Sequence, residues 1–544
     1  MITVTQDPAK RRVAVTIPGC HWDADERSYK IDTDTASAAA LAMVRKHFPD
    51  AGAPALPPPN GGMRPLDLAT KWASGRDAAA LLPNVPKEMR DLLYRYQQVD
   101  LGYLVARMKE DGGAYCGWSR GLGKTFGAIA AAIELDANKI VIVGPNSSKE
   151  SVWRPEIAKW ADDRWTVFNV RGTAKQRERT LEAFAHSKRA ILLCHYEGLR
   201  LVKWEKHKDI DLCVCDEAHR LAKGSSSGKA PMFYKALKKV KAKYRLALSG
   251  SIVINSPEDL FGALHWLVPD RYSSKWRDWN NRFLQYLQGP WGAEFMGIKK
   301  GMLEPMQEEL GGLLVVRRKE DELPDLPPRI DQTIEVELSK EQRRVYDELS
   351  ERFIADLPDG DQIMATTVLA QLTKLRQIAT GLDLLGNKME DSTKIDLAEE
   401  MIRDNLPNKT VVFAWHRATV RSLADRLRSS GVECRAITGD TKERDRATYV
   451  REFQEDADVK VIVATIKTLG EAVTLHAASD LIFLESSWTP TDMEQAADRI
   501  YRIGQKSHVS ITNIVAKDTV DTLRVMPIVK SKDEMRRLIL GGAL

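Results

Sequence analysis

Short apolar runs alternate with amphipathic stretches through most of the chain. Residues 139–143, 190–194, 212–215 and 244–248 are β-rich, and the segments between them carry helical periodicity, the pattern of a parallel sheet covered on both faces. The alternation repeats at 409–414, 433–437, 460–464 and 480–484, with helical stretches such as 418–428 and 441–454. Two α/β lobes in tandem are therefore expected, each a parallel sheet covered by helices. Ahead of them, 11–17 and 28–31 read as strands and the alanine-rich 38–47 as a helix, so 1–50 predicts a small α+β accessory domain. Pro54, Pro57, Pro58 and Pro59 with Gly61 and Gly62 mark a linker over 51–85.

Lobe 1 is expected over 86–270 and lobe 2, with a helical entry segment, over 341–544. Between them, 271–340 reads as an aromatic and helical insertion followed by an inter-lobe bridge whose prolines favour an extended path. Trp276, Trp279, Phe283, Tyr286, Trp291 and Phe295 either stack on bases there or, the commoner fate of such residues, pack on their own domain.

Composition narrows the class. A chain of 544 residues is too long for one hydrophobic core. With 43% hydrophobic and 29% charged residues it suits a globular protein rather than a disordered one. No apolar stretch approaches the roughly 20 residues of a membrane span, and 1–12 has no apolar signal core, so an intracellular location without a membrane partner is expected. The six cysteines show no repeated pair spacing, which argues against a disulfide framework or a zinc ribbon; Cys213 and Cys215 are expected to pack. A net charge of +5 permits a polyanionic partner without demanding one. Two basic clusters, Lys235 to Arg245 and Arg317-Arg318-Lys319, read either as solvated faces or as phosphate contacts.

The candidate chemistry sits at three places. In Gly121-Leu122-Gly123-Lys124-Thr125 the two glycines can take backbone angles closed to other residues, so consecutive N–H groups converge on a β-phosphate at a helix N-terminus. Lys124 would reach the β- and γ-oxygens, and Thr125 would offer its hydroxyl to Mg²⁺. Asp216-Glu217-Ala218-His219 ends the apolar run at 212–215. There Asp216 would hold the same metal through its water shell, and Glu217 would orient and deprotonate the attacking water. Either motif alone could be without function; together, in this order and each beside a strand-like run, they are the two sites that hydrolysis of Mg-ATP requires. Finally, Arg499 and Arg502 stand three apart in the string 495–505, on one face of a predicted helix, from which both guanidiniums could point across a cleft at the γ-phosphate. With Gln495 at the head of that string, they join Lys124, Asp216 and Glu217 as candidate catalytic residues, although such an arginine pair alone is more often a surface ion-pair site.

Taken together, these strings resemble the SNF2 family of helicase superfamily 2 over residues 88–530. Leu93-Tyr94-Arg95-Tyr96-Gln97 resembles the family's adenine-reading segment, which makes Gln97 the candidate adenine contact. Gly121 to Thr125 and Asp216 to His219 resemble motifs I and II, Ser249-Gly250-Ser251 motif III, 465–475 motif V and 495–505 motif VI. The resemblance implies two RecA-like lobes with ATP and DNA bound across their cleft, and DNA-stimulated ATP hydrolysis that drives translocation along duplex. Contacts to the phosphate backbone carry no sequence information, so such a motor can step along any sequence. Lys149, Arg154, Tyr196, Arg417 and Lys467 are candidate DNA contacts. Ile17, Trp22 and Tyr29 weakly resemble the accessory repeat of annealing-helicase members, which implies forked or annealed DNA as substrate. The alternatives are a motor that displaces DNA-bound protein such as a polymerase, and an ATP-gated nucleic-acid clamp with low turnover.

Three segments depart from the family pattern. Trp118, Ser119 and Arg120 stand where an acidic pair is usual; Ser251, Ile252 and Ile254 alter motif III; and Leu469, Glu471 and Ala472 occupy a motif V loop that usually carries more glycine. These changes put the coupling of ATP state to DNA grip in question more than hydrolysis itself.

Overall fold

The computed structural model describes residues 65–540 apart from 162, 225–231, 254–255, 273–275, 290–291, 324–325, 387–390, 470–472 and 503, together with the backbone of three strands near the N-terminus. Those strands, β1 (Ile2–Thr5), β2 (Cys20–Asp23) and β3 (Ser28–Ile31), form an antiparallel sheet of order β1-β3-β2. The strand expected at 28–31 is β3; the strand at 11–17, the helix at 38–47 and the linker prolines lie outside the described residues.

Lobe 1 is built from β4 (Gly113–Trp118), β5 (Lys139–Gly144), β6 (Thr166–Asn169), β7 (Ala190–His195), β8 (Ile210–Asp216) and β9 (Ala242–Leu248). A hairpin of β10 (Leu284–Gly289) and β11 (Gly292–Ile298) follows, and β12 (Leu314–Arg317) then returns to the edge of the sheet. The result is a seven-stranded parallel sheet of order β12-β4-β9-β8-β5-β7-β6. Val141, Val143, Cys213 and Cys215 enter the core on one face, while Ile140, Ile142, Leu212 and Val214 enter the core on the other. Burial on both faces is why these strands read as unbroken apolar runs rather than alternating ones.

Sequence periodicity passes over β4 because Gly113 and Gly117 read as breakers. Their missing side chains are what the packing requires: a Cβ would stand 2.4 Å from Leu267 O at residue 113 and 2.4 Å from Ile252 Cδ1 at residue 117.

Lobe 2 begins with β13 (Arg329–Val336) and a short hairpin of β14 (Ile354–Asp356) and β15 (Gln362–Met364). Its sheet is completed by β16 (Thr410–Ala414), β17 (Cys434–Ile437), β18 (Val461–Thr465), β19 (Asp480–Phe483) and β20 (Val509–Ala516), all parallel, in the order β13-β20-β19-β16-β18-β17. Just beyond β19, buried Glu485 accepts hydrogen bonds from the Trp415 and His416 backbone, His416 Nδ1 and the hydroxyls of Thr419 and Thr380. Burial opposes its ionisation, yet these donors hold its carboxyl down at about 2.

The sheets redraw the expected domain limits. Since β12 belongs to lobe 1 and β13 to lobe 2, the crossing is residues 318–328, and the 271–340 segment is not one unit. Its aromatic part is helical only over Trp276–Phe283; Trp279 and Phe283 are buried beside Phe261 and Tyr272, so they pack rather than offer a stacking surface. Trp291 lies outside the described residues.

A second connection returns from lobe 2. The helix Met526–Ile539 places Ile539 and Leu540 in the lobe 1 core, and Leu538 O accepts from Gln307 Nε2 at 2.8 Å. On the same helix Arg536 makes two 2.7 Å bonds to Glu494 of lobe 2.

Within the Arg317-Arg318-Lys319 cluster, Arg317 and Lys319 are structural ties instead of parts of a plain solvated or DNA-facing patch. Arg317 Nε and Nη2 donate to the fully buried Asp100 at 2.8 and 2.7 Å, beside a 2.7 Å bond from Trp118 Nε1, and Nη1 reaches Glu322 at 2.8 Å. Arg317→Ala would strand a buried carboxylate, which costs about 3–5 kcal/mol. The expected readout is a fall in the urea midpoint of lobe 1 with an unchanged slope; an unchanged midpoint would show that Asp100 does not depend on this pair.

Candidate active site between the lobes

The glycine turn links β4 to the helix Lys124–Glu134. Gly121 and Gly123 have φ of +87° and +77°, the left-handed angles anticipated for them. The helix start has no side-chain cap, which leaves its first N–H groups for an anion. Lys124 Nζ folds back to donate to Trp118 O at 2.8 Å and Ser119 O at 3.1 Å, and burial lowers its pKa. Gln97 braces the turn: it is buried, its Nε2 donates to Leu122 O at 3.0 Å, and its Oε1 accepts from Tyr94 N at 2.8 Å. It stands beside the loop and outside the cavity lining, so the expected adenine contact would require that amide to release the turn.

β8 delivers the two carboxylates. Asp216 Oδ1 accepts from Glu217 N at 3.0 Å and Oδ2 from Trp153 Nε1 at 3.0 Å. Burial, then the charge of Glu217, pushes the Asp216 carboxyl up to about 6. Glu217 itself has φ +53°, uncommon for a residue with a side chain. Its Oε1 lies 3.1 Å from Arg120 Nη2, and its Oε2 lies 3.2 Å from His219 Nδ1 without the alignment of a hydrogen bond. Burial opposes its charge, but Arg120, then His219 and Lys124, hold its carboxyl well below the usual range. His219 Nδ1 also meets Ser249 Oγ at 3.0 Å, and Ser249 Oγ donates to Ser251 O at 2.9 Å, so the acid strand is wired to the Ser249-Gly250-Ser251 segment.

Trp153, Arg120 and Tyr196 were not anticipated as parts of this site. The Tyr196 hydroxyl, fully buried, donates to Asp216 O and, at 3.2 Å, to Glu217 O. It positions the acid turn and is not available to DNA. Lys149 is likewise buried, with Nζ on Asn169 Oδ1 at 3.1 Å, which removes a second candidate DNA contact. Arg154, Arg417 and Lys467 remain exposed, the first two paired with Glu150 and Asp440 and the third over the Trp415 ring at 4.6 Å.

In lobe 2 the helix Pro490–Ala497 stops before the arginines. Arg499 and Arg502 therefore stand in the turns after it and not on a helical face; Arg499 N and Ile500 N bond to Ala496 O and Ala497 O, three residues back. Lys319 fixes that turn, reaching Asp498 and, at 2.8 Å, Tyr501 O. Both guanidiniums nonetheless face the same space. Gly121, Gly123, Lys124, Thr125, Asp216 and Glu217 from one lobe and Gln495, Asp498, Arg499 and Arg502 from the other line one cavity of about 470 Å³. Burial, then Arg120 and Arg502, pushes the Arg499 guanidinium down to about 10. Such a concentration of cations around adjacent carboxylates suits a metal-bound polyphosphate.

The family model of the SNF2-related domain matches residues 96–384, and that of the helicase conserved C-terminal domain matches 393–504. The chain belongs to the SNF2-related family. Its two domains are those of helicase-like ATPases, and the paired parallel sheets are its tandem RecA-like lobes. An uncharacterized ATP-dependent helicase of Mycoplasma genitalium is 26% identical over 81% of this SNF2 chain and 42% of its own length. The DNA annealing helicase and endonuclease ZRANB3 of Bos taurus is 25% identical over 81% of this chain and 40% of its own. The chain thus spans about two fifths of the length of these relatives. Among solved structures, the Sulfolobus solfataricus SWI2/SNF2 ATPase core in complex with dsDNA is 22% identical, covering 83% of this chain and 93% of that one at a TM-score of 0.37. Among the described residues no helix is long and apolar enough to cross a membrane. Of the segments that depart from the family pattern, Ile252 is buried against Gly117, whereas Ile254, Glu471 and Ala472 lie outside the described residues.

Proposed function

We propose that this chain is a DNA-stimulated ATPase that translocates along duplex DNA and remodels forked or annealed DNA. The observation that carries the reading is the single cavity to which lobe 1 brings the glycine turn and the acids and lobe 2 brings two arginines. In that arrangement Lys124 and the loop N–H groups bind the phosphates, Glu217 orients and deprotonates water, and Arg499 and Arg502 meet the charge that develops on the γ-phosphate. Thr125 and Asp216 supply hard oxygen donors and would hold Mg²⁺, which neutralises charge on the phosphates when bound. Because the arginines belong to the opposite lobe, hydrolysis is tied to how the lobes are set, and DNA lying across both lobes can bias that setting. The relative ZRANB3, named for DNA annealing, supports forked or annealed DNA as the substrate. Lys235, Lys238, Lys239, Lys241 and Lys243 are exposed, with Lys239 paired to Glu205, but they precede or open β9 at its end away from the cavity and do not bear on the reading.

The test is steady-state ATPase rate without nucleic acid and with single-stranded, duplex and forked DNA and RNA, at two salt concentrations, with Lys124→Ala as the blank. Stimulation by duplex and most by fork, weakening with salt, is the expected result. Equal stimulation by plain duplex would favour a motor that clears bound protein, and ATP binding with low turnover on every substrate would favour the clamp.

A further inference from the structure

Arg120 immediately precedes the glycine turn, and its surroundings go beyond support of that turn. Nη2 lies 3.1 Å from Glu217 Oε1, while Nη1 is buried with no hydrogen-bond partner among the described residues. The side chain lines both the catalytic cavity and a neighbouring one of about 360 Å³, with Gln495 and Asp498 at both. Its charge is felt by Arg499 and Arg502, and with Lys124 and Arg220 these make five cations around one space. Four carboxylates, Glu156, Asp216, Glu217 and Asp498, face these five cations, and Asp498 is also engaged by Lys319, so positive charge is in excess. A buried donor without an acceptor and mutual repulsion among cations are both relieved by an anion placed between them.

We propose that Arg120 is an additional ligand of the ATP γ-phosphate, supplied by lobe 1 itself, which rests on Glu217 and transfers to the phosphate when ATP binds, leaving Glu217 free for water. The inference rests on the cavity being the ATP site. It gives the chain a γ-phosphate contact that does not wait for lobe closure, unlike the contacts from Arg499 and Arg502. It also makes ATP, and not ADP, the nucleotide that releases the general base. No bond forms or breaks in the transfer; one charge-assisted hydrogen bond is exchanged for another.

The test is calorimetric titration of the full chain, of R120M and of R120K with ADP and with a non-hydrolysable ATP analogue, Mg²⁺ present throughout. R120M is expected to lose about tenfold in affinity for the analogue, the scale of one charge-assisted hydrogen bond, with ADP affinity unchanged. R120K should recover part of the loss, and R120Q replaces R120M if that variant does not fold. An equal loss for both nucleotides, or no loss, overturns the assignment and confines Arg120 to holding Glu217 while leaving the ATP site standing. Failure of the unmodified chain to bind either nucleotide overturns the site itself.

Discussion

Purified Glu217→Gln protein is expected to hydrolyse no ATP above background yet retain the nucleotide, and Lys124→Ala protein is expected to lose hydrolysis together with affinity. The difference follows from where each group stands. Glu217 is the carboxylate at the end of β8 whose backbone, at φ +53°, is held by Tyr196 from below. Its glutamine variant fills the same volume and can still accept from Arg120, but it cannot take a proton, a function that contributes about 10²–10⁴ in rate. On the proposed assignment Lys124 instead supplies a cation at the phosphates, and its removal would leave the uncapped helix start, Arg120 and the two lobe 2 arginines to bind them. Single-turnover hydrolysis and equilibrium nucleotide binding on the two variants separate the roles. Near-normal turnover in either one would sink the assignment of the cavity.

Arg502→Ala is expected to cut turnover by about 10³ or more with ATP affinity within a few-fold, the magnitude usual for an arginine that meets transition-state charge. Arg502 Nη1 is 2.7 Å from Thr474 Oγ1 in the present arrangement, so its guanidinium is oriented from lobe 2 and, on the proposed assignment, would reach the phosphate through the setting of that lobe. Ground-state binding of ATP rests mainly on lobe 1, which this substitution leaves intact. Measured kcat and nucleotide Kd decide the matter: a variant that loses binding but not rate would make Arg502 a phosphate anchor and not a stabiliser of the transition state.

Much of the architecture can be read from local pattern, and what cannot be read has a common cause. The runs at 139–143, 212–215 and 460–464 became β5, β8 and β18 because strands buried on both faces must be apolar throughout. The glycine turn was legible because its angles belong to residues 121 and 123 alone. By contrast, Arg317 meets Asp100 across 217 residues and Lys319 meets Asp498 across 179, so no local window distinguishes these buried partners from a basic surface patch. Trp153 is likewise tied to Asp216 from 63 residues away. The arginine turn after Ala497 escaped for the same reason: an i,i+3 spacing fits a helix, and only the grip of Lys319 from the crossing segment marks where that helix ends.

The helix Met526–Ile539 gives the lobes a second attachment besides residues 318–328. Two bodies joined at two separate places keep one easy rotation, about the line through the joints, and resist sliding and twisting, as a door on two hinges does. In the proposed motor, travel of Arg499 and Arg502 relative to the glycine turn would then be confined to a single arc, along which any effect of ATP or DNA on the lobes would be read out.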